Sequence, residues 1–357
     1  MDVLFKSFHN IDVTNAQYVR KELPEDFNAF VIDYISFATQ NENVKAYNVV
    51  DENVTVINCI SKIIEGTYSV PERTEDVLET LLEYSDSIAN KLLKEESQAQ
   101  IKISVMGKYI KKGSLIQALV KDDLGDTFYI IAKVEHSEWY DGDSLKKNLG
   151  FPSEKKNVWK SAVIPFIYDE EISFDNVRVY TDNSAKYWAE NFLEVSEKRN
   201  DSTNTKNACD AIEYELKRSV KLKSLSDYYN LRNSLIRKLK TSQQINYSDL
   251  INGLFDDYVP DEAELNMDAI KQKFLELPEK KNFDRQFNSV PSAIKKRCKL
   301  NFKVTPSIDL KINESIGNYR ESVVSTTDSQ GKKYLLIECR EDKTYEAFKE
   351  KRGILLN

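Results

Sequence analysis

Near residue 180 the hydrophobic spacing of this chain changes period, and that switch limits the architectures open to it. Before it, apolar residues alternate in short β-prone runs, as they do in a sheet whose side chains point to two faces. Residues 1–8 alternate in this way, and residues 115–120 and 127–134 flank the turn-rich Asp122-Asp123-Leu124-Gly125-Asp126, predicting a hairpin. Residues 158–167 predict a further strand, ended by Asp169, Glu170 and Glu171. Two helices interrupt the strands. In residues 26–39, Phe27, Phe30, Val31, Tyr34 and Ile35 recur at steps of three and four. In residues 74–94, Val77, Leu78, Leu81, Leu82, Ile88, Leu92 and Leu93 form an apolar stripe with acids outside it, and Pro71 stands where helices commonly begin.

After the switch, helical spacing runs through residues 185–198, 207–222, 226–240, 247–258 and 267–277, with breaks at Val259-Pro260 and Leu277-Pro278. Strand patterns return at 319–326 and 333–339, around Asp328-Ser329-Gln330-Gly331. The second of these holds Tyr334, Leu335, Leu336 and Ile337, apolar on both faces, which predicts a buried strand. Together the patterns predict an α+β fold. A mixed sheet domain with helices occupies residues 1–182, a helical region 183–280, and a β-hairpin unit with a basic connector 281–357.

Composition fits a packed fold: 357 residues with 41% hydrophobic side chains supply a core, and 10 glycines and 8 prolines are too few for a disordered chain. No run approaches the roughly 20 apolar residues of a membrane-spanning helix, so no membrane insertion is expected. Met1-Asp2-Val3-Leu4-Phe5-Lys6 lacks the basic start and apolar run of a secretion signal. Cys59, Cys209, Cys298 and Cys339 lie far apart, the pattern of reduced thiols in a cytoplasmic protein. Abundant Lys, Asn, Ile and Glu fit an AT-rich bacterial genome.

The net charge of −7 conceals an uneven distribution. Residues 217–240 hold Lys217, Arg218, Lys221, Lys223, Arg232, Arg237, Lys238 and Lys240 with one acid, Asp227. Residues 280–303 hold Lys280, Lys281, Arg285, Lys295, Lys296, Arg297, Lys299 and Lys303 with one acid, Asp284. Two short segments of +7 each therefore stand on a remainder of −21. Cations gathered in this way suit a polyanion, because each one that neutralises a phosphate releases condensed counterions, while the acidic remainder confines binding to one face. Tyr228, Tyr229, Phe283 and Phe287 lie among the charges, where they either stack on bases or pack in the core. The plainer reading of each basic helix is a solvated face.

Catalytic signatures are sparse. His9 and His136 have no Cys-His zinc spacing around them, and neither a glycine-rich phosphate loop nor a Gly-x-Ser-x-Gly elbow occurs. Asp309, Glu321 and Glu338 with Arg340 loosely imitate a metal-dependent nuclease, but Arg replaces the usual Lys and does not readily shed a proton. Asp141-Gly142-Asp143 reads as a turn and lacks the spaced acids of a calcium loop.

The ordered series of features resembles the bacterial 37-kDa nucleoid-associated protein family over nearly the whole chain. It comprises the opening strand, Asn43-Val44-Lys45-Ala46-Tyr47 ahead of an apolar helical region, the helix at 74–94 and the hairpin at 113–135. Tyr187-Trp188-Ala189-Glu190-Asn191-Phe192-Leu193 looks like the helix following that family's sheet. Phe283-Asp284-Arg285-Gln286-Phe287, then Ser289-Val290-Pro291-Ser292-Ala293-Ile294-Lys295-Lys296, looks like its connector. The strand at 307–312 departs from the family in lacking a glycine-rich entry. The resemblance implies association with the chromosome, as a homodimer, and supplies no residue-level site.

The expected function is non-enzymatic, largely sequence-nonspecific DNA binding in the cytoplasm, double-stranded DNA favoured, with no cofactor or metal. Lys295, Lys296, Arg297, Lys299 and Lys303 are expected to contact phosphates, with Arg232, Arg237, Lys238 and Lys240 as a second patch. The alternatives are a DNA-sensing or effector subunit of a phage-defence system, working with a partner protein from a neighbouring gene, a metal-dependent nuclease, and a protein-interaction scaffold that uses the acidic surface and binds no nucleic acid.

Overall fold

The computed structural model describes residues 1–24, 28–69, 74–105, 107, 109–140, 147–150, 158–182, 185–312 and 322–349. Phe27, Pro71, Asp141, Gly142, Asp143 and Glu321, singled out above, lie outside them. The fold is α+β and divides into two compact units, Met1–Ala293 and Ile294–Asn357. The first carries a large antiparallel sheet in the N-terminal half of the chain. Its early strands are β1 (Asp2–Asp12), β2 (Gln17–Arg20), β3 (Lys45–Asn48), β4 (Gly113–Lys121) and β5 (Thr127–Glu135). A separate ribbon of β6 (Ser137–Tyr140) and β7 (Lys147–Gly150) follows. The sheet then resumes with β8 (Val158–Tyr168), β9 (Ile172–Phe174), β10 (Val177–Thr181) and β11 (Ser196–Glu197). Across the sheet the order is β11, β3, β10, β8, β5, β4, β1, β2, with β9 folded back on β8.

Alternation along β4 explains the layering. Leu115 and Leu119 face one side, and Ile116, Ala118 and Val120 face the other. Helix α1 (Asn28–Gln40) covers the second side with Val31, Tyr34, Ile35 and Ala38. The first side lies under α2 (Thr55–Ser69) and α3 (Glu75–Ser104), which bring Ile57, Ile60, Leu81, Ile88 and Leu92. Thr74 caps α3 by accepting from the Val77 amide, and Glu75 and Asp76 complement the positive end of the helix. The hairpin between β4 and β5 closes as the turn residues predict: Asp122 accepts from the amides of Leu124 and Asp126, and Gly125 takes a left-handed φ of 94°.

Beneath α3 the core is not wholly apolar. Lys133 of β5 and Glu96 of α3, both 0% exposed, pair at 2.5 Å, and Tyr187 donates to Glu96 at 2.9 Å. Gln117 donates to the Ser85 carbonyl and accepts from Tyr129, so the pleat offers matched polar groups to the helix above it.

Two expectations need correction. Residues 185–198 do not form one helix: a π-helical turn, Trp188–Phe192, ends where Glu194 adopts a left-handed φ of 56°, and Ser196–Glu197 joins the sheet edge. In the second unit, β14 (Leu300–Thr305) pairs with β15 (Ile308–Ile312) and β16 (Val323–Thr327) with β17 (Lys333–Ile337), before α9 (Asp342–Phe348). The expected burial of β17 fails: Leu335, Leu336 and Ile337 are 41%, 42% and 53% exposed. A two-stranded hairpin has two faces, and these side chains remain about half open on it. The two intervening strands, β12 (Gln244–Asn246) and β13 (Gln286–Asn288), pair with each other within the first unit. Among the described residues no helix is long and apolar enough to cross a membrane.

Buried histidines give the sheet a pH signature. His9 bonds Asp86 at 2.8 Å and His136 bonds Ser114 at 2.8 Å, and burial, the largest influence on each, holds both below the ordinary 6.5. Below about pH 6.5 the unfolded chain takes up protons that the folded chain refuses, so stability falls as pH falls. Thermal melts followed by circular dichroism should show a falling Tm between pH 7.5 and pH 5.5, with a shallower slope in His9→Gln; equal slopes would remove His9 as a cause.

Candidate nucleic-acid interface

The first unit continues into helices that carry the earlier of the two basic segments. Asn200 caps α4 (Asp201–Leu216) by accepting from the Thr203 amide, and Ala208, Cys209, Ile212 and Leu216 turn inward. That orientation leaves Tyr214 outward, 51% exposed. A π-helical turn, Lys217–Lys221, follows, and Ser224 then caps α5 (Leu225–Thr241). Next come α6 (Tyr247–Phe255), α7 (Met267–Leu275) and the short α8 (Leu277–Lys281), which has Pro278 in its first turn and ends at Asn282 in the left-handed conformation.

Each basic segment contains one acid, and the fold buries both. Asp227, 0% exposed, accepts from Tyr258 and from the amides of Asp261 and Glu262, which closes the loop after α6 onto α5. Its hydrogen bonds hold its carboxyl below the usual range despite burial, whose opposing push is the largest single influence. Asp284, 4% exposed, accepts from Arg199 and Asn204, each at 2.8 Å. Neither acid is left at the surface to offset its neighbouring cations.

Arg232 is internal as well, and Arg285 is half-buried and paired. Arg232, expected on the DNA-binding surface, is 8% exposed and pairs with Glu213 of α4 at 2.7 Å. It fixes α5 against α4 and leaves the candidate set. Arg285 is held by Glu279 at 2.8 Å and by Glu42 at 3.2 Å.

Part of the remaining charge gathers at Tyr214. Arg218 lies 5.6 Å from its ring centre and Lys281 lies 5.3 Å from it. One comes from the first basic segment and the other from the second, so packing of α8 on α4 joins what the sequence separates. Arg218 also lines a groove of about 350 Å³ with Lys223 and Lys273, beside Glu215 and Glu264. Among the described residues Arg218, Lys223, Lys273 and Lys281 make no ion pair. Lys223 donates to the Glu264 carbonyl at 3.3 Å.

The other predicted cations fall into two groups. Arg237 is exposed near the end of α5, with Lys238 and Lys240 half-buried beside it. Lys238 lies across Gly253, close enough to collide with any side chain placed there. Roughly 20 Å of helix separates this group from the start of α5. In the second unit, Lys295 and Lys296 are exposed on the 3-10 turn Pro291–Cys298, and Arg297 is half-buried. Lys299 and Lys303 are exposed, Lys303 opposite Asp309 in the β14–β15 register. Lys311, opposite Asn301, adds to that hairpin a cation that lies beyond the 280–303 segment.

Of the aromatics among the charges, Tyr228, Phe283 and Phe287 are core residues, and Tyr229 packs edge-on against Tyr228 at 5.0 Å. Of the nuclease-like acids, Glu338 pairs with Arg340 at 2.9 Å. Comparison with known protein families, curated proteins and solved structures found no match.

The division of cations into structural and surface groups is measurable by chemical denaturation. Arg232→Met strands the Glu213 carboxylate in a buried site and should cost about 3–5 kcal/mol. Arg237→Glu, at an exposed position, should change stability by less than about 0.5 kcal/mol.

Proposed function

We propose that this chain binds DNA through phosphate contacts, with little base readout, at the surface centred on Tyr214. One observation carries the reading: cations from both basic segments converge there while the acid of each segment is buried elsewhere. Lys217, Arg218, Lys223, Lys273 and Lys281 supply the charge, and phosphate contacts of this kind position a protein on DNA without reading sequence. The exposed edge of Tyr214 adds a surface against which sugars or unpaired bases can rest. Lys295, Lys296, Arg297, Lys299 and Lys303, with Lys311, form a second set of phosphate contacts in the C-terminal unit. Arg237, Lys238 and Lys240 form a third, weaker set. The reading agrees with the resemblance to the nucleoid-associated family, and with it the expectation of a cytoplasmic homodimer that needs no catalysis.

Fluorescence anisotropy on a random duplex tests it. Affinity should fall steeply between 50 mM and 200 mM salt, and Arg218→Gln with Lys281→Gln should lower the slope of log affinity against log salt by about 2. A flat salt response in the unaltered protein would exclude the mechanism, and an unchanged slope in the double variant would move the site away from Tyr214.

A further inference from the structure

A second feature of the first unit is a cavity of about 370 Å³, within the ~300–1,000 Å³ range of small-molecule sites. Its wall includes the end of α1 and the residues after it, β3, β10 and the connector after α8. Three arginines reach it, Arg178, Arg199 and Arg285, and three acids, Glu42, Glu279 and Asp284. These charges are not evenly matched. Glu42 and Glu279 both hold Arg285, Glu279 through two nitrogens at 2.8 Å and 3.2 Å. Asp284 is taken by Arg199, by Asn204 and by the Ala46 amide.

Arg178 is left over. It lies on β10 between Ala46 of β3 and Val163 of β8, with its guanidinium 5.5 Å from the Phe128 ring centre. Among the described residues it makes no ion pair, and its buried Nε–H meets no acceptor. The Nε–H of Arg199 is buried without an acceptor in the same way. Burial, partly opposed by Asp175, holds the half-buried Arg178 guanidinium below its ordinary pKa. A desolvated cation with free donors on a cavity wall is stabilised by an anion entering that cavity, and a guanidinium fork matches the paired oxygens of a phosphate.

We propose that this cavity is a binding site for a small phosphate-bearing ligand, with Arg178 as its principal cation and Arg199 as a second donor. Glu42 and Glu279 remain tied to Arg285, and the buried Asp284 is occupied by its own donors, which leaves Arg178 as the unpaired charge on the cavity wall. Inorganic phosphate and a phosphate monoester present the same chemistry to the two arginines.

The test is arginine footprinting on the full-length protein: phenylglyoxal modification, read by peptide mass, with and without millimolar inorganic phosphate at constant ionic strength set by chloride. Phosphate should slow modification of Arg178 at least fivefold while leaving exposed Arg340 unaffected. Adenosine monophosphate in a parallel arm identifies the source. Protection at lower concentration than phosphate means a phosphate monoester, and protection by phosphate alone means the free ion. Phosphate should also raise the Tm of the unaltered protein in a saturable way, and Arg178→Met should lose that rise while Arg178→Lys keeps part of it. Equal modification of Arg178 with and without either ligand would overturn the proposal. So would protection by a DNA duplex, which would assign Arg178 to the nucleic-acid surface, or a full Tm rise in Arg178→Met.

Discussion

The carboxylate of Asp284 holds together the parts of the first unit on which the rest depends. It sits in the chain between α8 and β13 and takes hydrogen bonds from Arg199 just before α4, from Asn204 within α4 and from the Ala46 amide of β3. Its own amide donates to Asn204 at 3.0 Å. Burial pushes its pKa up, which these donors and Lys45 only partly offset. A group so desolvated is tolerated because every side of it is hydrogen-bonded. The neighbouring residues continue the anchorage: the Gln286 amide donates to the Val44 carbonyl, its side chain bonds Thr181 and Asn246, and the Arg285 carbonyl accepts from Tyr247. One short segment thus bonds the sheet edge and the helical region at once.

The position of Lys281 follows from that anchorage. With residues 283–288 fixed between β3 and α4, α8 lies against α4, and Lys281 reaches the ring that Arg218 approaches from its own helix. Charges 63 positions apart in sequence become neighbours. The same anchorage ends the first compact unit at Ala293 and not at residue 280, since the connector belongs structurally to the helices and sheet that it bonds. It also forms one wall of the arginine-lined cavity, so the two proposed sites share a single structural cause.

Much of this was legible from pattern. The switch from alternation to helical spacing located the sheet and the helices, because one-sided burial leaves its period in the sequence. The hairpin at Asp122–Asp126 followed from turn chemistry that operates within a few residues. What failed depended on partners distant in sequence. Nothing in the run around Arg232 distinguishes it from Arg237, since its ion pair is with Glu213 on another helix. Tyr334-Leu335-Leu336-Ile337 has the composition of a buried strand, but burial is decided by what lies against it. The helix expected at 185–198 stops at Glu194 because Ser196 and Glu197 find partners in Asn48 and Tyr47. Tyr214 carried no distinguishing signal at all; its place between two cations is a product of tertiary packing.

Cations drawn from each basic segment are proposed to form one DNA-gripping surface around Tyr214, and lysine-reactivity footprinting addresses that surface most directly. With a random duplex at low salt, Lys217, Lys223, Lys273 and Lys281 should lose reactivity toward an acylating reagent together and regain it at high salt, while exposed Lys21, Lys62 and Lys102 stay reactive throughout. Protection confined to the lysines of the N-terminal sheet and its helices, or no protection at any of the four, would contradict it.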